Sequence, residues 1–353
     1  MQAGITGMPG CGKTTVFRAL TGLPNGAESG PRGKVVRGVV RVPDPRVDEL
    51  SSRYRPEKTT YAEVVFSDIP GPGHGEGGGP PKGIPPRFVG DMRSVDLLVH
   101  VVREFVLPGG PAADPAGDLR TLREEKILQD LDSVEKRLAR LAKGEKAGFP
   151  AEKEALAGIR DALSAGRQIS SMGLPADVVA GLTGFAFLTL KPEMVVLARD
   201  DAMAGGPLPP EFEAPARENA IEVLPICSRL EVEIGELEPA ERGPFMKEMG
   251  IEAAGTDVFI RSVYRAQGLV SFFTTGSDEV RAWTIRRGTT ALGAAGKIHS
   301  DLERGFIRAD VFRYDDLIAL GDEAACRRAG KHRQEGRDYV VEDGDIITIK
   351  FNV

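Results

Sequence analysis

The eight residues Gly7-Met8-Pro9-Gly10-Cys11-Gly12-Lys13-Thr14 match the pattern GxxxxGK[ST]. They follow an apolar run, Ala3 to Thr6, and precede an amphipathic stretch, Thr14 to Leu20. In that context the pattern restricts the chain to a strand, a tight loop and a helix, the opening unit of a P-loop α/β domain. Only glycine-rich backbone turns so sharply that successive N–H groups face phosphate oxygens, while the helix N-terminus adds partial positive charge. Gly7, Pro9, Gly10, Cys11 and Gly12 are therefore expected to wrap a polyphosphate. Lys13 is expected to neutralise the β and γ phosphates, Thr14 to place its hydroxyl on Mg²⁺, and Thr15 to touch the α phosphate. The competing reading, a glycine-rich turn matching by chance, is disfavoured by the flanking strand and helix.

The strand-and-helix alternation continues with apolar runs at Val35 to Val42, Tyr61 to Ser67 and Leu97 to Val102, as expected of a parallel sheet covered on both faces. The third run of the chain ends in Asp68-Ile69-Pro70-Gly71, a DxxG sequence. Asp68 is expected to act with Thr14 at Mg²⁺, and the Gly71 amide to sense a γ phosphate. Residues 71–86 are so rich in Gly and Pro that a loop is expected there.

From Asp118 the period changes. Ile127, Leu131, Val134, Leu138 and Leu141 recur at alternating spacings of 4 and 3, the seam of a coiled coil. Residues 144–150, GEKAGFP, break the run, and Leu156, Ile159 and Leu163 resume it, which predicts an antiparallel helical hairpin inserted into the sheet domain. A plain pair of helices within one core is the alternative. Sheet-like runs return at Met194 to Leu197 and Glu222 to Ile226, and beyond Phe272 three further strand-like runs surround one short helix near Leu292 to Leu302. The expected plan is an NTPase domain over 1–115 and 185–276, a hairpin over 116–184, and a small α+β module over 277–353.

Composition bounds the function. A formal charge of −6 argues against a general polyanion-coating protein, and three scattered cysteines, Cys11, Cys227 and Cys326, fit neither a disulfide framework nor a CxxC zinc site. No apolar run reaches 18 residues and the opening MQAGITGMPG lacks the features of a signal peptide, so no membrane association and a cytoplasmic location are expected.

Several segments resemble the YchF group of Obg-like ATPases over essentially the whole chain: VRVPDPRVDEL from Val40, SVDLLVHVVREF from Ser94, LTLKP from Leu188, and FFTTGSDEVRAWTIRRGTTALGAAGKIHSDLERGFIRADVFRYDD with EGRDYVVEDGDIITIKFNV at the carboxyl end. The resemblance implies a G domain, an inserted helical hairpin and a C-terminal TGS module of β-grasp type. It further implies Mg²⁺-dependent hydrolysis of ATP in preference to GTP and association with the ribosome.

Departures from the family pattern fall at the nucleotide site. The family's base-reading NxxE aligns with Ala198-Arg199-Asp200-Asp201, leaving Asp201 as the carboxylate able to meet a purine edge and no Asn amide beside it. Cys227-Ser228-Arg229 stands where relatives carry SAK, and its backbone is expected beside the base. Gly10 and Cys11 replace the usual NV, so activation by potassium is not expected. Between Gly30 and Val42 no hydroxyl residue is available for a first-switch Mg²⁺ ligand, Ser29 being the nearest. Pro72 occupies the position of a water-positioning Gln, which leaves His74 as the nearby candidate to orient or deprotonate the attacking water, or else as a solvated loop histidine. Cys11 is open to two readings: a thiol acidified by the helix N-terminus and Lys13, acting as an oxidation-sensitive gate, or a small residue required beside phosphate. His100, within an apolar run, reads as a core histidine. Arg327, Arg328, Lys331, Arg333 and Arg337 concentrate five positive charges in eleven residues, suited either to an RNA backbone or to a solvated face balanced by nearby acids. The rival to an active NTPase is a hydrolysis-impaired nucleotide-binding regulator, or an adaptor that binds RNA or the ribosome.

Overall fold

The apolar runs become strands in a computed structural model that describes residues 1–22, 35–71, 83–203, 206–217, 221–249, 251 and 253–352. In chain order these are β1 (Gln2–Gly7), β2 (Val36–Arg41), β3 (Lys58–Thr60), β4 (Glu63–Asp68), β5 (Leu97–Arg103), β6 (Glu193–Ala198), β7 (Glu222–Ile226), β8 (Leu269–Thr274), β9 (Glu279–Arg286), β10 (Phe306–Arg313), β11 (Arg333–Glu335) and β12 (Asp345–Phe351). One sheet runs β2-β4-β1-β5-β6-β7. The pairs β1–β4, β1–β5, β5–β6 and β6–β7 are all parallel. Every residue of β5 is buried, which is why its sequence, LLVHVVR, shows no polar alternation.

Contacts divide the chain into two compact units, residues 1–39 with 65–259 and residues 40–64 with 260–353. Residues 40–64, assigned to the NTPase domain by sequence, thus cluster with the C-terminal segment, as does 260–276.

The helical period from Asp118 forms two helices, Pro115–Ala142 and Glu152–Ser164. Asp114 caps the first by accepting from the Gly117 N–H at 2.9 Å, and Pro115 sits at its first position, where a missing N–H costs nothing. The long helix serves two cores. Leu119 and Leu122 pack with Val102, Val195 and Leu197 of the sheet. Ile127 and Val134 pack with Leu156, Ile159 and Leu163 of the second helix. Where the chain turns back, Arg137 Nε donates to Glu152 Oε1 at 2.6 Å. Two buried polar groups tie the long helix to the sheet domain. Asp130 accepts from the N–H groups of Leu188 and Thr189 at 3.0 and 2.7 Å, and the Lys126 ammonium bonds Glu193 at the start of β6.

In the second unit the sheet runs β11-β10-β12-β8-β9-β3. Antiparallel pairs β8–β9, β10–β12 and β10–β11 combine with parallel β3–β9 and β8–β12. Helix Ala291–Ile298 packs Ala291, Ala294 and Ala295 against Phe272, Ile285, Val311 and Ile347. The single helix expected near 292–302 is in fact two, Ala291–Ile298 and Ser300–Arg304. His299 is extended between them, and its Nδ1 accepts from the Asp301 N–H at 3.2 Å as a cap. Strands β3, β8 and β11 were not anticipated. Arg46 fixes residues 40–64 in this unit: it donates to Asp343 Oδ2 at 2.7 Å and lies 5.0 Å over the Phe273 ring.

Candidate functional site

At the carboxyl end of β1 the chain leaves Gly7, turns through residues 8–12 and enters helix Lys13–Thr21. Gly10 and Gly12 have φ of 77° and 89°, the left-handed region that costs a side chain 1–2 kcal/mol or more (roughly). Gly7 is required for a different reason: a Cβ there would lie 2.5 Å from the Val101 carbonyl oxygen and 2.6 Å from Cys11 Sγ. The DxxG glycine is packed on the same turn, since a Cβ on Gly71 would fall 2.1 Å from the Gly7 carbonyl oxygen. Residues 7–15 line a pocket of about 1350 Å³ together with Pro70, Gly71, Phe105 and Leu107.

Lys13 Nζ donates to Asp68 Oδ1, and Thr14 Oγ1 donates to Asp68 Oδ2 at 3.2 Å. The sequence-assigned lysine, hydroxyl and carboxylate are thus brought together from β4 and the first turn of the helix. Thr14, which lines the pocket, and Asp68 bonded to it offer hard oxygen donors, a set that suits Mg²⁺, which takes one or two protein oxygens and fills its octahedron with phosphate and water. Among the described residues no group of three or more His, Cys, Asp or Glu side chains forms a metal cage of its own.

Cys11 departs from the acidified-thiol expectation. Its side chain is buried, and burial pushes the thiol up to about 11, outweighing the Lys13 backbone hydrogen bond and charge that pull it down. The thiol is protonated at neutral pH, and Sγ faces Gly7 as a small space-filling group.

Beyond the P-loop, Ala198 at the end of β6 is buried and Asp201 is exposed at the start of a 3₁₀ turn, Asp201–Met203. Cys227 Sγ donates to the Asp200 carbonyl at 3.4 Å and precedes helix Ser228–Glu236. Ser228 Oγ is buried with no hydrogen-bond partner among the described residues. Ala198 Cβ and Phe105 Cε1 lie 3.5 and 3.4 Å from where a Cβ on Gly12 would stand, so the segments that follow β5 and end β6 abut the glycine turn. Phe105 and Leu107 were not singled out from sequence. The available signal was position, two and four residues past the carboxyl end of a central parallel strand, where α/β sheets bind ligands. His74, Pro72 and Ser29 lie outside the described residues, as does most of the 71–86 loop.

His100 is fully buried on β5, with Nε2 3.3 Å from Glu193 Oε2. Burial, and then the Lys126 charge, push its pKa down to about 4, so it is neutral. In the basic cluster, Arg327, Lys331 and Arg333 lie 3.8, 3.3 and 3.4 Å from Glu323, Asp316 and Glu335. Exposed pairs of this kind are weak, but they offset part of the positive field. No helix among the described residues is long and apolar enough to cross a membrane.

The chain is similar to known proteins over its full length. Residues 269–352 match the family model YchF-GTPase_C, described as a protein of unknown function (DUF933). The chain is 38% identical over 362 residues to the Ribosome-binding ATPase YchF of Haemophilus ducreyi, covering 100% of this chain and 99% of that protein. It is likewise 38% identical over 368 residues to the protein of the same name from Bacillus subtilis, and 35% identical over 367 residues to Obg-like ATPase 1 of Oryza sativa, 92% of which is covered. The structure of the Schizosaccharomyces pombe YchF GTPase superposes with a TM-score of 0.84 at 30% identity, covering 99% of this chain and 97% of that one. With a P-loop, a DxxG carboxylate and a full-length match to these relatives, the chain belongs to the YchF family of P-loop nucleoside triphosphatases.

Proposed function

We propose that this protein binds ATP in preference to GTP with Mg²⁺, hydrolyses it slowly, and associates with the ribosome in the cytoplasm. The observation that carries the reading is the convergence of Lys13, Thr14 and Asp68 at the mouth of the glycine turn. Backbone N–H groups of residues 7–15 hold the phosphates, and Lys13 offsets their charge once it leaves Asp68. Thr14 and Asp68 would hold Mg²⁺, which when bound neutralises charge developing on the phosphoryl oxygens. Phe105 and Leu107 supply apolar walls, Asp201 a carboxylate for the purine edge, and Cys227 and Ser228 the backbone beside the base. Gly71, packed on Gly7, is placed to couple the γ-phosphate end to the following loop. Within this reading His74 orients the attacking water. Catalysis is mainly positioning and electrostatic stabilisation. The domain plan we assign is an NTPase domain over 1–115 and 185–276, a hairpin over 116–184 and a TGS-like module over 277–353, with residues 40–64 and 260–276 clustering with the last of these.

Ribosome association rests on the names of the relatives and on the exposed residues Arg327, Arg328, Lys331 and Arg337 with half-buried Arg333, which offer contacts to an RNA backbone. Buried, aliphatic Ala198 favours a second reading, a nucleotide-binding regulator with impaired hydrolysis. Phosphate release from pure protein with ATP, GTP or neither, against Lys13→Ala and His74→Ala, separates the two. Mg²⁺-dependent turnover below about 1 per second, abolished by Lys13→Ala, is expected. Nucleotide binding without any Lys13-dependent phosphate release assigns the regulator instead.

A further inference from the structure

Where the family's base reader carries Asn followed by other residues, this chain places Ala198 and then an arginine folded inward. The Arg199 side chain is 1% exposed and makes a side-on pair with Glu104, Nε to Oε2 at 2.5 Å and Nη2 to Oε1 at 3.3 Å. Its remaining donors are not idle: Nη1 donates to the Gly206 carbonyl at 2.7 Å and Nη2 to that of Pro207. The backbone repeats the link, with Glu104 N–H donating to Ala198 O at 2.9 Å and Arg199 N–H to Ile226 O at 3.0 Å. Three segments are thereby joined: the end of β5 leading to Phe105, the turn after β6 that holds Asp201, and the end of β7 leading to Cys227. Arg103 braces the first from its other side, donating to the Phe105 carbonyl at 2.9 Å and to Pro111 and Ala112 carbonyls at 3.0 and 3.1 Å.

We infer that the Arg199–Glu104 pair is a positioning device for the nucleoside end of the pocket, holding the Phe105 wall and the 200–203 turn at a fixed separation beside Gly12. This rests on the nucleotide-site reading given above. Recognition then comes from the shape of a rigid slot rather than from an Asn amide on the base. A guanidinium fork suits this task because it meets both carboxylate oxygens and two carbonyls at once, four bonds against the three donors of an ammonium. A slot that reads shape discriminates weakly, so the preference for ATP over GTP is expected to stay below about a hundredfold.

Inorganic tripolyphosphate separates the two ends of the site, because it engages the P-loop and lacks a base. Titration calorimetry on the full chain compares tripolyphosphate, ATP and GTP for wild type, Arg199→Lys and Glu104→Gln, with thermal melting as the check on folding. Expected is a loss of about tenfold in ATP affinity in each variant, with tripolyphosphate affinity unchanged within about twofold and an altered ATP-to-GTP ratio. Should a single variant not fold, the Glu104→Met, Arg199→Met pair leaves no orphan charge and replaces it, with the same expected loss. The inference is overturned if ATP affinity survives in the variants, or if ATP and tripolyphosphate affinities fall together as in general loosening. Wild-type protein that binds tripolyphosphate as tightly as ATP removes the nucleoside slot, and protein that binds neither removes the nucleotide site itself.

Discussion

Asp68→Asn tests the electrostatics of the site in both directions. In the structure Lys13 and Asp68 satisfy each other, with side chains 14% and 7% exposed, so an arriving triphosphate has to take Lys13 away from this carboxylate. A hydrogen bond between charged groups at such a site contributes about 1.5–3 kcal/mol. Asparagine retains an oxygen for the Thr14 hydroxyl, now 3.2 Å from Oδ2, but gives up the charge that holds Lys13. Without Mg²⁺ the variant should therefore bind ATP more tightly, by about tenfold to a hundredfold, since Lys13 is already free and one repelling carboxylate is gone. With Mg²⁺ the sign reverses, because the carboxylate we propose beside the metal is missing; affinity gained from Mg²⁺ and turnover should both fall. Calorimetric titrations in excess EDTA and in excess Mg²⁺, with Lys13→Ala as control, read both arms. Unchanged or weaker ATP binding by Asp68→Asn in EDTA would refute the competition for Lys13.

Other perturbations report on parts of the first unit. His100 is neutral when folded, with a pKa near 4 against 6.5 in the unfolded chain, so stability is complete above about 6.5 and is lost as pH falls toward 4. The loss is about 2 kcal/mol between pH about 7 and about 5, read as hydrogen-exchange protection of the β5 amides corrected for intrinsic rates, and His100→Gln should remove that slope. Leu156, fully buried between the hairpin helices, should cost about 2–5 kcal/mol when cut to alanine; proteolysis near residues 143–151 should speed up, and an unchanged cleavage rate would count against the hairpin core. Raising Cys11 from 9.0 to about 11 lowers its thiolate fraction by about a hundredfold, so peptide-resolved alkylation at pH about 8 should find it slow, and rapid labelling would restore the acidified-thiol reading.

Local pattern carried much of the architecture. The P-loop needs a strand, a glycine turn and a helix in immediate succession, and residues 2–21 form that unit because each requirement is met within a few residues of chain. The same holds for the hairpin, whose seam from Ile127 to Leu141 is a helical period visible in one dimension. Strand β8 escaped for the opposite reason: LVSFFT is apolar without alternation, and only pairing with β9 and β12 declares it a strand. Short β3 and β11 likewise exist through their partners.

What tertiary structure decided is a matter of burial and of contacts distant in sequence. Proximity to Lys13 and a helix N-terminus argued for an acidic Cys11 thiol; enclosure by Gly7 and its neighbours reversed the sign, because desolvation of a thiolate exceeds the attraction of one partly solvated ammonium. Arg199 looked like a drifted motif position until Glu104, 95 residues earlier, was found against it. The sequence by itself nominated the residues we propose to hold phosphate, since that chemistry is written in consecutive positions. The fold alone brought together the residues we propose for the nucleoside end, since they come from the ends of three strands that meet only in the sheet.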